Sequence, residues 1–315
     1  MKITVLDGFA INPGDLDWGI LEPYGTVTVY DRTDSDAESI ARIGDSEIVL
    51  VNKTPLPAAV IDACPSIRMI GMLATGYNIV DVECARRHGI PVCNVPCYST
   101  NAVAQFAIAL LLEICHHCGR HNILVHEGAW TSCQDFCLWT TPQMELAGKT
   151  LGIIGYGRIG EQTAKIAEAL GMQVIACSRS HNKDAMYVDL DTLLRQSDVV
   201  SLHCPLFPET SGIISRENIA KVKDGAILIN TARGALIDEQ AVADALISGK
   251  LRGAAVDVTT VEPIRKDNPL LTAPNCIITP HMAWTPIEAR HRLLNTVRDN
   301  IRYFAEGHPQ NVVNP

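Results

Sequence analysis

The segment Leu151–Gly160 constrains the fold more than any other part of the chain. An apolar strand runs straight into Gly-x-Gly-x-x-Gly, and a helical pattern follows at once. Each glycine serves a separate purpose, since Gly155 permits a tight turn, Gly157 lets the backbone approach a pyrophosphate, and Gly160 lets the helix pack on the strand. The N–H groups at the start of the helix favour phosphate. The segment therefore predicts a dinucleotide-binding loop.

An alternation of strand-like and helix-like stretches extends this prediction to the whole chain, whose 315 residues suit two domains. After Lys149, six apolar strands alternate with helical segments, which is typical of a Rossmann-type doubly wound domain. Before residue 100, a similar rhythm predicts a second parallel sheet, so the fold class is α/β. The predicted strands are Ile3–Leu6, Val27–Tyr30, Ile48–Val51, Met69–Leu73, Pro91–Val95, Thr150–Ile154, Gln173–Cys177, Val199–His203, Ala226–Asn230, Ala254–Val258 and Cys276–Thr279.

Composition excludes several classes of function. A hydrophobic fraction of 47% excludes bulk disorder. The net charge of −9 argues against a general nucleic-acid binder, which needs a basic face. The apolar run Phe106–Leu112 is far shorter than the ~20 residues that cross a bilayer. Because Met1-Lys2 leads directly into a strand-like segment, we expect a cytoplasmic protein without membrane or nucleic-acid partners.

The 11 cysteines are an odd number, which favours reduced thiols over a disulfide framework. Cys115-His116-His117-Cys118, with His121 nearby, raises a zinc hypothesis. The segment Ala102–Cys118 reads as one helix, however, which would put Cys115 and Cys118 one turn apart on a largely apolar surface. Buried small thiols are the preferred interpretation, and we expect no metal.

The stretch His121–Ala147 has no clear period and contains Trp130 and Trp139, two of the four tryptophans. Such long irregular segments inside compact domains are often functional or form interfaces. We interpret it as a dimer arm, with a solvent-facing excursion as the alternative.

The residue that selects the cofactor is expected ~20 positions beyond the glycine loop, at the end of the second strand. That strand ends in Cys177-Ser178-Arg179, without an acid. Ser178 removes the repulsion that an acid would exert on a 2′-phosphate, and Arg179 can pair with the phosphate. The sequence therefore predicts NADP(H), used exclusively or alongside NAD(H). In the alternative, Arg179 stacks on adenine or points to water.

Three residues after predicted strand ends suit the reduction of a carbonyl by a nicotinamide, because such ends bind ligands in open α/β sheets. Arg233 carries a permanent charge that can bind a carboxylate and polarise a 2-oxo group. Glu262 can orient His281 and favour its protonated form. His281 would then be the acid in reduction and the base in oxidation.

Four motifs, in this order, resemble the D-isomer-specific 2-hydroxyacid dehydrogenases: the glycine loop, Asn230–Gly234, Val261-Glu262-Pro263 and Pro280-His281. The resemblance covers essentially the whole chain. It implies that Arg233 binds and polarises the substrate and that Glu262 partners His281, the acid–base residue. Leu73–Gly76 would offer backbone N–H groups to the substrate carboxylate.

The resemblance also implies the remaining site. His203, Cys204 and Pro205 would line the adenosine side, and Thr231, Ala232 and Asp257 the nicotinamide end. An alternative for Asp257 is a loop-capping carboxylate. The complete predicted cofactor set is Gly155, Gly157, Arg158, Ile159, Gly160, Ser178, Arg179, His203, Cys204, Pro205, Thr210, Thr231, Ala232 and Asp257. The complete predicted substrate set is Leu73, Ala74, Thr75, Gly76, Arg233, His281 and Trp284.

The family's fold implies a discontinuous, smaller flavodoxin-like α/β domain that binds substrate and acts as a lid. It would comprise residues 1–99 and 286–315, and the dinucleotide domain residues 100–285. The substrate would lie in a cleft between the two, and the family is usually homodimeric.

Within the family, Pro280–Trp284 and Leu6-Asp7-Gly8 are similar to glycerate dehydrogenases, also called hydroxypyruvate reductases. Trp284 would narrow the pocket to a short side chain, unless it is ordinary core packing. We therefore expect reduction of hydroxypyruvate to D-glycerate, with glyoxylate as the next candidate. The alternatives are another 2-oxo acid or an NAD-sensing regulatory protein that resembles these enzymes.

Overall fold

The computed structural model describes residues 1–181 and 185–315. The chain divides into two compact units, and each is built around its own parallel sheet. Unit 1 comprises Met1–Ser99 and Thr285–Pro315, and unit 2 comprises Thr100–Trp284. The sequence-based boundary lay one residue later, between 285 and 286.

Unit 1 contains a parallel sheet of order β2-β1-β3-β4-β5, which is the flavodoxin-like order. All four residues of β3 and of β4 are buried, as expected for parallel strands covered on both faces. Its strands are β1 (Lys2–Val5), β2 (Thr26–Val29), β3 (Ile48–Val51), β4 (Met69–Met72) and β5 (Val92–Cys93). Its α-helices are α1 (Asp36–Ile43), α2 (Ala58–Ala63), α3 (Val82–Arg87) and α10 (Ile287–Ala305), with a 3₁₀ helix at Trp18–Tyr24.

Arg290 of the last helix, α10, forms hydrogen bonds with the first residues of unit 1. Both terminal nitrogens of Arg290 donate to the carboxylate of Asp15, at 2.6 Å each. Nη1 also donates to the Ile11 carbonyl at 3.1 Å, and the arginine is largely buried. Such a bidentate, charge-assisted contact fixes geometry as well as adding energy.

Unit 2 contains a six-stranded parallel sheet of order β11-β10-β9-β8-β6-β7. Its strands are β6 (Thr150–Ile154), β7 (Gln173–Cys177), β8 (Val199–Leu202), β9 (Ala226–Asn230), β10 (Leu251–Val256) and β11 (Cys276–Ile278). Its α-helices are α4 (Thr100–His116), α5 (Cys118–His126), α6 (Arg158–Ala169), α7 (Leu190–Gln196), α8 (Arg216–Lys221) and α9 (Glu239–Ile247), with 3₁₀ helices at Gly234–Leu236 and Pro269–Thr272.

At the edge of this sheet formed by β7, the described residues show irregular pairing. The usual doubly wound order places a third strand outside the second one. In the described residues, that place holds a parallel bridge between Ala176 of β7 and Tyr187. The Ala176 amide donates to the Met186 carbonyl, and the Val188 amide donates to the Ala176 carbonyl, each at 2.9 Å.

The expectation of one helix through Cys118 is wrong. The α4 helix ends at His116, and His117 adopts a left-handed backbone with φ of 47° before α5 begins. Cys115 is therefore buried in α4, whereas Cys118 is exposed at the start of α5. Burial raises the pKa of the Cys115 thiol to about 11, which opposes metal binding because the thiolate is the ligand.

The expectation that His121–Ala147 lacks regular structure is wrong for its first part, because α5 continues to His126. None of the α5 residues is buried in the chain. From residue 127 to residue 149 the backbone has neither helix nor strand.

No single helix in the described residues is long and apolar enough to cross a membrane. The pair α4 and α5, bent by 54°, reaches the required length and composition only when taken together.

Candidate active site

The glycine loop between β6 and α6 has the geometry that the sequence predicts. Gly155 has a φ of +96°, and a Cβ there would lie 2.4 Å from the backbone nitrogen of Cys204. A Cβ at Gly160 would lie 2.4 Å from the Gly155 carbonyl oxygen. At Gly157, by contrast, a Cβ would meet nothing within 4 Å. The loop is packed tightly at its two ends and open at its middle glycine, which is where a pyrophosphate needs room.

The α6 helix begins at Arg158, and its N-cap residue is Gly157. Because glycine has no side chain, the first-turn N–H groups are left without a side-chain cap. The carbonyl of Ile159 accepts from the Thr163 hydroxyl at 2.9 Å, inside the first turn. The start of α6 therefore presents backbone donors to a phosphate.

The predicted adenosine side lies where β7 and β8 end, on either side of β6. Ser178 and Arg179 follow β7, and the Arg179 guanidinium carbon lies 4.7 Å from the centroid of the Phe207 ring. Sequence reasoning missed Phe207, because only folding brings it to Arg179. Thr210 donates to the Pro205 carbonyl and accepts from the Phe207 amide, at 2.8 Å each.

His203 and Cys204 come directly after β8. A ring nitrogen of His203, Nε2, lies 2.8 Å from the Ser201 hydroxyl. Burial lowers the pKa of His203 to about 4, so this imidazole is neutral at neutral pH. Burial raises the pKa of the Cys204 thiol to about 11. Both side chains are therefore uncharged at neutral pH.

The predicted nicotinamide end contains an orphaned hydroxyl. Thr231 follows β9, and within residues 1–181 and 185–315 its buried Oγ1 has no hydrogen-bond partner. A buried polar atom in this state is costly unless something else satisfies it. The open space at Gly157 and this unsatisfied hydroxyl together fit a bound dinucleotide. The neighbouring Ala232 amide is already used, because it donates to the Asn230 side chain at 3.1 Å.

Asp257 braces the loop that carries His281. The carboxylate accepts from the Thr279 hydroxyl at 2.6 Å and from the amides of Met282 and Ala283 at 2.8 and 2.9 Å. The residue is only 1% exposed. Three donors thus occupy the carboxylate, which is the loop-capping alternative. The expected contact with a nicotinamide carboxamide has no support from these hydrogen bonds.

Arg233 is exposed on a turn that its neighbours hold in place. The side-chain amide of Asn230, which is fully buried, donates to the Arg233 carbonyl at 2.9 Å. At Gly234, a Cβ would lie 2.0 Å from the carbonyl carbon of Thr259 and 2.3 Å from the Thr260 nitrogen. Only glycine allows the two turns to touch this closely, so the Arg233 turn lies against the loop that leads to Glu262.

The side chains of His281 and Glu262 are in contact. Nδ1 of His281 lies 2.7 Å from Oε2 of Glu262, and the other Glu262 oxygen accepts from the Thr259 amide at 3.3 Å. His281 has a left-handed backbone with φ of 53°, and its amide donates to the Asp257 carbonyl at 2.8 Å. About a third of each side chain is exposed, so the pair is reachable by a small molecule.

Two predicted substrate-binding elements, the loop Leu73–Gly76 and Trp284, lie in different units, and each is described within its own unit. In unit 1, the loop Leu73–Gly76 follows β4, with the Thr75 hydroxyl donating to the Val95 carbonyl at 2.7 Å. The Asn94 side chain donates in turn to the Thr75 carbonyl at 2.8 Å. Trp284, at the end of unit 2, is half-buried. Substrate contacts at these residues stay predictions.

The residues around Cys115 and His121 do not form a group of metal ligands. Within the described residues, one set of three potential ligands lies within 4.8 Å of one another, and it is Asp62, Cys84 and His88 in unit 1. It belongs to neither the glycine loop nor the His281–Glu262 pair.

Comparison with known proteins agrees with this geometry. Residues 108–283 match the family described as D-isomer specific 2-hydroxyacid dehydrogenase, NAD binding domain. The chain is 58% identical to a hydroxypyruvate reductase of Blautia hydrogenotrophica, with 100% of both chains covered. It is 41% identical to a glycerate dehydrogenase of Methylorubrum extorquens, with 90% of each covered.

A solved structure extends the likeness to three dimensions. The acyclic imino acid reductase Bsp5, in complex with NADPH and D-Arg, has a TM-score of 0.87 and 31% identity, covering 99% of this chain and 100% of the other. The fold and the site together define a dehydrogenase that uses a nicotinamide dinucleotide. The chain therefore belongs to the D-isomer-specific 2-hydroxyacid dehydrogenase family.

Proposed function

We propose that this enzyme interconverts hydroxypyruvate and D-glycerate. The observation that carries the proposal is the 2.7 Å contact between His281 and Glu262, beside the turn of Arg233. A braced imidazole and a guanidinium carried on an adjoining turn are what the reduction of a 2-oxo acid requires from a protein.

The chemistry divides among the three side chains. The bound nicotinamide, when reduced, supplies a hydride to the carbonyl carbon of the substrate. The Arg233 guanidinium binds the substrate carboxylate and polarises the carbonyl oxygen. Because Glu262 holds Nδ1 of His281, Nε2 is the nitrogen that gives its proton to this oxygen. His281 ends neutral, and oxidation of the alcohol runs the same proton transfer backwards.

The size of the substrate is argued from Trp284 and from the relatives. A half-buried indole three residues beyond His281 suits a short substituent such as hydroxymethyl. The names of the two similar enzymes, hydroxypyruvate reductase and glycerate dehydrogenase, describe this substrate and this product. Glyoxylate, which is smaller still, is the second candidate.

A panel of 2-oxo acids tests the substrate. The oxidation of NADPH or NADH is followed at saturating cofactor with hydroxypyruvate, glyoxylate, pyruvate and phenylpyruvate. We expect the highest kcat/KM for hydroxypyruvate. A higher value for pyruvate or for phenylpyruvate would reject the proposal, and no turnover with any acid would reject an enzymatic role for the site.

We further propose that NADPH is the preferred cofactor. Ser178 and Arg179 supply no negative charge at the end of β7, and Arg179 supplies a phosphate-binding group. Comparing kcat/KM for NADPH and NADH at fixed hydroxypyruvate tests this. A hundredfold preference for NADH would overturn it.

We also propose a homodimer formed through the arm, His121–Ala147. Its aromatic side chains are exposed, with Phe136 90% exposed and Trp139 65% exposed. Large exposed apolar side chains grouped in one segment mark an interaction surface. Light scattering coupled to gel filtration should give twice the 34.2 kDa chain mass. A double variant, Phe136→Ser with Trp139→Ser, should shift the population towards monomer, whereas a monomeric parent protein would reject the proposal.

A further inference from the structure

Arg179 and Phe207 meet at the carboxyl edge of the unit 2 sheet. Arg179 comes two residues after β7, and Phe207 lies in the loop after β8. These strands flank β6, whose end is the glycine loop. The guanidinium carbon lies 4.7 Å from the ring centroid, within the ~6 Å range of cation–π attraction. The pair therefore lies beside the place where the predicted dinucleotide begins.

The backbone holds Phe207 firmly. Its amide donates to the Thr210 hydroxyl at 2.8 Å, and its carbonyl accepts from the amides of Thr210 and Ser211 at 3.1 and 2.9 Å. The Thr210 hydroxyl also donates to the Pro205 carbonyl at 2.8 Å. The ring is 39% exposed in spite of this bracing. A rigid turn thus presents an aromatic surface to a flexible arginine.

The Arg179 guanidinium lies over the Phe207 ring, and within residues 1–181 and 185–315 its N–H groups have no ion-pair partner. Stacking on an aromatic ring engages the plane of a guanidinium, while its N–H groups point outward in that plane. Within the part of the chain that the structure describes, no carboxylate lies within 4.0 Å of the Arg179 nitrogens. Among the residues that the structure describes, an anion bound at the guanidinium edge would therefore displace no carboxylate.

We propose that Phe207 is a specificity-determining positioning residue, which holds Arg179 so that the guanidinium edge can bind the 2′-phosphate of NADPH. This inference rests on the proposed NADPH preference and adds a residue to it. It also gives Thr210 a different role from the predicted one. Thr210 supports the Phe207 turn and acts on the cofactor through Phe207 and Arg179.

The test measures binding of two cofactor fragments to the full chain by calorimetry. The fragment 2′,5′-ADP carries the 2′-phosphate, and 5′-AMP lacks it. The Phe207→Leu variant removes the aromatic face but keeps an apolar side chain, and Phe207→Tyr keeps the ring. We expect Phe207→Leu to weaken 2′,5′-ADP by about two- to fivefold, the range of an exposed cation–π contact. Binding of 5′-AMP should stay unchanged, and Phe207→Tyr should bind both fragments as the parent protein does.

Arg179→Ala supplies the matched background. It should remove the preference for 2′,5′-ADP, and adding Phe207→Leu to it should have no further effect, because the two residues act as one unit. A Thr210→Val variant should weaken 2′,5′-ADP in the same direction as Phe207→Leu. Melting temperatures measured without ligand show that the variants are folded.

The outcomes separate the two proposals. If the parent protein binds both fragments equally, the NADPH preference fails and the inference fails with it. If the parent protein and Phe207→Leu show the same preference for 2′,5′-ADP over 5′-AMP, only the role of Phe207 is rejected. Equal weakening of both fragments would mean that the ring contacts adenosine itself. Tighter binding by Phe207→Leu would mean that the ring obstructs the site, and either result overturns the inference.

Discussion

The carboxylate of Glu262 lies 2.7 Å from Nδ1 of His281, so Nε2 is the ring nitrogen that faces the substrate in the proposed reaction. Glu262→Gln removes the negative charge while keeping the shape. The protonated imidazole then loses its ionic partner, and we expect a lower kcat for reduction. Initial rates at saturating hydroxypyruvate and cofactor check this. Glu83→Gln, which breaks an exposed ion pair with Arg86 in unit 1, is the control and should keep the parent kcat.

His281→Ala should lower kcat by about 10²- to 10⁴-fold, because general acid–base help has this size. Cofactor affinity should change little, since the side chain is held by Glu262 and not by the glycine loop. Steady-state rates and fluorescence titration with NADPH measure the two effects. His88→Ala, an exposed histidine bonded to Asp62, should retain parent activity. An active His281→Ala enzyme would remove this residue from the mechanism.

Gly157→Ala separates binding from folding. The added Cβ meets no protein atom within 4 Å, and φ is −85°, so the melting temperature without cofactor should not change. The methyl group fills the space predicted for the pyrophosphate, so affinity for NADPH should fall at least tenfold. Gly155→Ala is the contrasting variant. Gly155 has a φ of +96°, and a Cβ there would overlap the Cys204 backbone, so this variant should have a lower melting temperature even without cofactor.

Gly234→Ala should lower kcat by displacing the turns that carry Arg233 and Glu262. The new Cβ would overlap the Thr259 carbonyl, so one of the two turns has to move, at a cost of about 1–3 kcal/mol in stability. The turns carry Arg233 and Glu262, and we expect kcat to fall more than cofactor affinity. Gly119→Ala, an exposed helical glycine whose closest contact would be the flexible Glu113 side chain, should be neutral. Parent-like kcat in Gly234→Ala would show that the two turns are not coupled.

The neutral state of His203 predicts an acid-sensitive stability. Its pKa in the folded chain is about 4, below the ordinary value of 6.5. As pH falls from about 6.5 towards 4, His203 becomes protonated in the unfolded chain but stays neutral in the folded chain. The free energy of unfolding therefore decreases over that range. His203→Gln cannot take up the proton. The melting temperature of the parent protein should therefore fall relative to that of His203→Gln between pH 7 and pH 5, and a constant difference would contradict the assignment.

Much of the fold follows from local patterns. The strands β6, β7 and β9 begin and end where the apolar runs do, because buried parallel strands need continuous apolar sequence. The six-residue helices α3 and α8 span less than two turns, which is too short for a clear helical period in the sequence. The break at His117 was missed because the flanking sequence is helical on both sides.

Sequence motifs indicate part of the candidate site. The glycine loop and the pairing of Glu262 with His281 could be inferred because their spacing after strands implies a shared edge of the sheet. The contact of Arg179 with Phe207 could not, and for Asp257 the sequence left both a nicotinamide contact and a loop-capping role open. This contact and the role of Asp257 depend on the detailed path of loops that only the folded chain determines.

The contact between Arg290 and Asp15 has a consequence for biosynthesis. The two residues are 275 positions apart. A growing chain makes Asp15 near its start and must wait for α10 to leave the ribosome before this carboxylate meets its guanidinium. All residues of unit 2 have been synthesised by then, so the amino-terminal sheet is the earlier unit to be translated and the later one to be completed.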